Sequence, residues 1–211
     1  MSQYDPDEAT AREDMCRFLS ACFYEPGPEF AEEDLFGSIV AAASRIHPDL
    51  ADRARQLGEA FLSDDLPTLL VDYTRLFLGP VEALAQPHES SWIKTPAEAG
   101  DRLSALLDLY NAGGFEIDED FRELHDHIAV ELEYLYLLTF RQNDAQSAGS
   151  DDDVSSLARL ERTLLNEHLG AWIEPFAMAV RSGAQTSFYR KLVDLTEQFI
   201  QMEAARLGTA H

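Results

Sequence analysis

Residues 72–92 read DYTRLFLGPVEALAQPHESSW. The first part is helical in pattern, because Leu69, Leu70, Tyr73, Leu76 and Phe77 recur at the spacing that places apolar side chains on one helix face. Gly79 and Pro80 then stop it: glycine accepts a positive φ and proline has no N–H to continue the ladder. Past that stop the chain is polar and proline-containing, around His88, Glu89 and Ser90, residue types that enzymes use. The loop is thus either a catalytic loop or the rim of a binding surface.

The same helical period recurs on both sides of it. Met15, Phe18, Leu19, Cys22 and Phe23 mark a first helix, stopped by EPGP at 25–28. Phe30, Leu35, Phe36, Ile39 and Val40 suggest a second, closed near His47-Pro48, and Leu50, Ala54, Leu57 and Phe61 a third. A fourth begins near Pro67 and runs into the opening stretch. Beyond the loop, Thr95 as N-cap, Pro96 at the first helical position and Glu98 at the capping-box position predict a helix that NAGG ends at 111–114. The next segment puts Leu124, Ile128, Leu135 and Leu138 on one stripe with Glu131 among them. A carboxylate there needs a partner, since burying it unpaired costs several kcal/mol. Asp126 is expected to cap this helix and His127 to pair with Glu131 one turn on. NDAQSAGSDDD, about 143–153, reads as a mobile acidic linker. Helical spacing resumes through Leu157, Leu160, Leu164 and Leu165, then a proline-interrupted WIEPFAMAV, then Phe188, Leu192, Leu195, Phe199 and Met202. No strand-like alternation of useful length appears. The expected fold is all-α, one helical domain over 1–211 with eight to ten helices, the alternative arrangement being two lobes joined by a flexible segment.

The chain carries 39 Asp and Glu against 16 Lys and Arg, a formal charge of -23, yet 45% of its residues are hydrophobic, so it is not a disordered acidic tail. So negative a surface repels nucleic-acid phosphates and anionic lipid over a Debye length of about 8 Å and attracts a basic peptide. Solubility, or an acidic host proteome, explains the same charge. Cys16 and Cys22 match no metal or redox spacing and are expected to stay reduced and packed. Without an apolar run of about 20 residues or a secretory leader, the expected location is cytoplasmic.

His125, Asp126, His127, Glu131 and Glu133 are the densest group of metal-ligand types, but neither HExxH nor the ExxH pair of di-iron bundles is present. The loop lacks a GxSxG elbow, and Walker A and GxGxxG patterns are absent, so no catalytic residue, metal or cofactor is expected. The alternative is a helical metal-dependent enzyme centred on His127, Glu131 and His88. A binding surface suits the residues better: Tyr73, Phe77 and Trp92 can supply apolar pockets, and Asp72, Glu82 and Glu89 can meet basic side chains.

At this loop the sequence resembles a known family. DYTRLFLGP followed by QPHESSW is similar to the signature of the TorD/DmsD/NarJ-type redox-enzyme maturation chaperones, a YxRLFxGP helix end leading into a P-x-x-S-aromatic loop. DHIAVELEYLYLL (126–138), LLNEHLGAWIEPF (164–176) and SFYRKLVDLTEQFI (187–200) resemble three further family elements in the same order. The resemblance implies an all-helical cytoplasmic chaperone that binds the twin-arginine signal peptide and apo catalytic subunit of a molybdopterin oxidoreductase until its cofactor is inserted. Contact with the cofactor-insertion machinery, and a monomer or a homodimer, stay open. It also implies that Tyr73, Arg75, Leu76, Phe77 and Gly79 build the loop. Asp72, Pro87, His88, Glu89, Ser90 and Trp92, with Asp126, His127 and Glu131, then form or support the recognition surface. His88 stands where many relatives carry an aromatic residue, so the client's identity does not carry over.

Overall fold

The computed structural model of the protein describes residues 5–79, 83–116 and 124–208. Among them the chain forms ten α-helical segments and no strand, as the spacing predicts. They are α1 (Pro6–Cys22), α2 (Glu29–Glu32), α3 (Leu35–Ile46), α4 (Pro48–Ser63), α5 (Leu66–Tyr73), α6 (Pro96–Gly113), α7 (Ile128–Ala148), α8 (Asp151–Glu167), α9 (Leu169–Gly183) and α10 (Ser187–Gly208). Side-chain caps start several of them. Asp65 accepts from Thr68 N at 2.9 Å before α5, and Thr95 accepts from Glu98 N at 3.3 Å before α6.

The opening stretch does more than end a helix. Residues Thr74–Leu78 wind as a π-helix, with Gly79 N donating to Thr74 O at 2.7 Å and Gly79 at φ 52°. The carbonyls of Arg75 and Leu76 accept from Leu84 N at 3.3 Å and Ala85 N at 2.8 Å, which ties Leu84 and Ala85 to the helix end.

Two expected elements differ. The second helix divides into α2 and α3, because Asp34 adopts the left-handed conformation at φ 50°. The segment expected to be a linker is helical on both sides of Gly149 and Ser150: residues 143–148 continue α7 and 151–153 begin α8. Asn143 Nδ2 donates to Glu13 Oε2 at 3.3 Å, fastening that turn of α7 to α1. Asp151, Asp152 and Asp153 lie in the first turn of α8, where the helix dipole favours negative charge, so the acidic run is a helix start.

The buried side chains form one hydrophobic cluster to which nearly every helix contributes. At its centre Phe77 touches Phe23, Tyr73, Phe176 and Tyr189 with ring centroids 5.3–6.4 Å apart. The elbow between α8 and α9 needs glycine, since a Cβ on Gly170 would sit 1.9 Å from Leu165 O. A buried polar network joins the chain ends to the middle. Glu161 accepts from Thr139 Oγ1 at 2.9 Å and Arg206 at 3.4 Å, Arg206 bonds Glu203 at 2.9 Å, and Glu203 accepts from Arg12. Cys16 and Cys22 are free and buried, as expected, and burial pushes both thiols up, Cys22 to about 12, so they stay protonated.

Candidate functional site

The loop and the start of α7 are one structure. Pro87 O accepts from Ile128 N at 2.8 Å and Glu89 N donates to Asp126 O at 2.9 Å, an antiparallel bridge that pairs His88 with His127. Asp126 adds a side-chain bond, Oδ2 accepting from Ser90 N at 2.9 Å. Two segments nearly 40 residues apart are thereby locked in register, and the loop closes with a 3₁₀ turn at Glu89–Trp92.

Beneath the bridge lies a buried polar knot. Glu89 is 2% exposed, and its carboxylate accepts from Arg102 of α6 at 2.8 and 3.0 Å and from His168 Nδ1 at 2.9 Å. Arg102 also donates to Glu167 O at the end of α8. Glu131 is fully buried and accepts from Trp172 Nε1 at 3.1 Å through one oxygen. Its other oxygen has no hydrogen-bond partner among the described residues. Burial, reinforced by the negative charge of Glu89, holds the Glu131 carboxyl well above the usual range and so favours the neutral acid.

His127 is the N-cap of α7, with Nδ1 accepting from Ala129 N at 3.1 Å. Its ring stacks on Tyr24 at 6.1 Å and meets the His88 ring edge-on at 5.2 Å. Burial and the neighbouring His88 lower its pKa to about 3, so the imidazole is neutral. Two expectations are corrected. Asp126 does not cap the helix, because its carboxylate is turned toward Ser90. His127 and Glu131 do not pair, because a cap residue at ψ 140° lacks the helical geometry that aligns side chains four apart.

The structure also moves acids inward. Asp72, expected to meet basic side chains, is 1% exposed. It accepts from Gln185 N at 2.9 Å, Thr186 N at 2.7 Å, Thr186 Oγ1 at 2.8 Å and Arg75 at 2.9 Å, which fixes the entry of α10 against the end of α5. Glu89 is likewise satisfied internally, and Glu82 lies outside the described residues. Tyr73, Leu76 and Phe77 are buried beneath the loop, and Pro87 is buried within it. Trp92 belongs to the 3₁₀ turn and is half-buried, its Nε1 donating to Gln86 O at 3.0 Å and its ring 6.3 Å from Phe176. Leu124 is not on the α7 stripe, since it precedes the helix and is 61% exposed. Leu78 and Leu84, on either side of the loop's start, are also exposed.

Periodicity did not single out Arg102, His168 or Trp172. The last two carry a signal, the four-residue spacing in HLGAW, but no local pattern marks Arg102 as the counter-charge of Glu89. Among the described residues no group of three or more His, Cys, Asp or Glu could hold a metal ion, and His88, His127 and Glu131 form no such set. No helix among those residues is long and apolar enough to cross a membrane.

Fold and site together define a class: an all-helical protein whose charged and aromatic signature residues hold a loop in place through hydrogen bonds and ring contacts. The chain belongs to the family described as nitrate reductase delta subunit, whose model matches residues 43–178. It is 27% identical over 184 residues to the chaperone protein TorD of Shewanella loihica, covering 84% of this chain and 81% of that one. It is 28% identical over 153 residues to the perchlorate reductase assembly chaperone protein of Dechloromonas aromatica, covering 68% and 67%. It is 31% identical over 106 residues to the selenate reductase assembly chaperone protein of Thauera selenatis, covering 50% and 53%. These relatives are named chaperones.

Proposed function

We propose that this protein is a cytoplasmic maturation chaperone for a molybdopterin oxidoreductase. It binds the twin-arginine signal peptide and apo catalytic subunit and delays export until the cofactor is in place. The observation that carries this reading is the clasp between residues 87–90 and 126–128, which joins two of the family's signature segments into one rigid edge. Family membership and relatives named for the assembly of reductases support the client class. In this reading Asp72, Glu89, Asp126, His127 and Glu131 act from below by holding the loop. The client touches the accessible residues: His88, Ser90, the outer part of Trp92, and the exposed Leu84 and Leu124. The signal peptide's apolar stretch meets the leucines, and its arginines respond to the field of a chain with net charge -23.

The test is titration of a synthetic twin-arginine signal peptide into the protein by calorimetry, at low salt and at about 0.5 M salt. Affinity should fall with salt without vanishing, because exposed ion pairs of about 0.2–1 kcal/mol each are screened and apolar contacts are not. Leu84→Glu with Leu124→Glu should weaken binding at least tenfold while the melting temperature holds. Unchanged affinity in that double variant removes the loop edge as the signal-peptide site.

A further inference from the structure

A second surface lies at the far end of α7, about 20 Å along the helix axis from Glu131 at 1.5 Å rise per residue. There the turn at Gly149 and Ser150 joins α7 to α8, and an open cleft of about 490 Å³ lies beside it. Arg141, Asp144, Ala145 and Ala148 of α7 line one wall, and Asp153, Ser156, Leu157 and Leu160 of α8 the other. Each wall is an i, i+3, i+4, i+7 set, the face one helix presents to another. Alanine and serine keep the floor open, and Leu157 and Leu160, each half-buried, give it an apolar base. Ala112 of α6 also lines it.

The charge on this cleft is one-sided. Asp144 and Asp153 stand on opposite walls, with Asp151 and Asp152 beside the second. Asp108 precedes Ala112 by one helical turn and so shares its face of α6. The one basic side chain in the lining, Arg141, is turned back on the end of α6, its guanidinium donating to the carbonyls of Gly113 and Gly114. An apolar floor between two helix faces, rimmed by carboxylates on both sides, is complementary to a helix that carries leucine-sized side chains along one stripe and lysine or arginine beside it.

We propose that the cleft between α7 and α8 is a docking groove for a basic amphipathic helix of a partner protein, separate from the loop edge. The helix seats its apolar stripe on Leu157, Leu160, Ala145 and Ala148 and sets basic side chains against Asp144 and Asp153. Nucleic acid and anionic lipid are repelled by the same carboxylates. A partner that also engages the loop edge is then held at two points, and two weak contacts on one rigid body combine into a strong one.

The test is fluorescence anisotropy with a labelled helical probe peptide of leucine, alanine and arginine, and a control in which glutamate replaces each arginine. Ala148→Trp fills the groove near the turn and Asp144→Arg reverses one wall; thermal melts confirm that both variants fold. The arginine probe should bind wild type and lose at least tenfold in each variant, and the glutamate control should bind neither wild type nor the Ala148→Trp protein. The probe should bind equally well to the Leu84→Glu, Leu124→Glu protein, which separates this groove from the loop edge. Equal binding by wild type and both groove variants, no measurable binding to wild type, or loss of binding on altering the loop edge alone overturns the proposal.

Discussion

Replacing Arg102 by methionine tests whether the loop is held from beneath. The substitution keeps an unbranched side chain but leaves the Glu89 carboxylate, 2% exposed, with His168 as its remaining side-chain partner. Hydrogen bonds to charged groups contribute about 1.5–3 kcal/mol each, and stranding a buried charge costs more than the mean. The Arg102 side chain is 36% exposed, so water recovers part of the loss, and about 2 kcal/mol is the expected cost. For a chain of this length that is a fall in melting temperature of about 4–8 °C. Arg102 also bonds Glu167 O, so the single variant alone cannot assign the loss to Glu89. The double variant with Glu89→Gln resolves it. Once the arginine is gone, removing the carboxylate charge should be less costly than in wild type, with a coupling of about 1 kcal/mol or more by urea denaturation. Additivity of the two substitutions within about 0.5 kcal/mol would refute the pairing as the element that fixes the loop.

The same geometry sets three other outcomes. An unfolded imidazole titrates near 6.5 whereas buried His127 does so near 3, so the unfolded chain binds the extra proton between those values and stability falls as pH drops through that window. The slope reaches at most about 1.4 kcal/mol per pH unit, and Glu131, whose carboxyl is raised, opposes it by binding its proton more readily when folded. His127→Asn, which keeps a capping side chain, should flatten the acid-side decline in a melting-temperature profile, and an unchanged profile contradicts the assignment. Gly170→Ala should cost about 1–3 kcal/mol and several degrees of melting temperature, because its Cβ meets Leu165 O, and a neutral result would mean that the elbow yields freely. Trp92→Ala should lower both stability and signal-peptide affinity, since the ring packs on Phe176 yet keeps an outer face; loss of stability with normal affinity in the folded fraction excludes it as a client contact.

Local rules were enough for most of the helices. The Thr95-Pro96-Glu98 cap, the apolar faces of α1, α4 and α5 and the stop at Gly79 all depend on residues within a turn or two of one another. Placing Asp144 and its neighbours in a linker failed because polar composition conceals a helix whose support comes from α1, a contact no local window contains. The same limit explains the acids. Asp72 and Glu89 look like surface charges in sequence, and their burial depends on partners at 185–186 and at 102 and 168. The set of signature residues was legible, but not which of them face inward, since a buried carboxylate is distinguished from an exposed one by distant donors rather than by its neighbours.

The most direct test of the account is to purify the tagged protein from its own host and identify by mass spectrometry the proteins that accompany it, for wild type and for the Leu84→Glu, Leu124→Glu variant. The account predicts the catalytic subunit of a molybdopterin oxidoreductase, recovered with its twin-arginine leader uncleaved and free of cofactor, and depleted in the variant. Recovery of that subunit only in mature, cofactor-loaded form, or equally well with the variant, would contradict it.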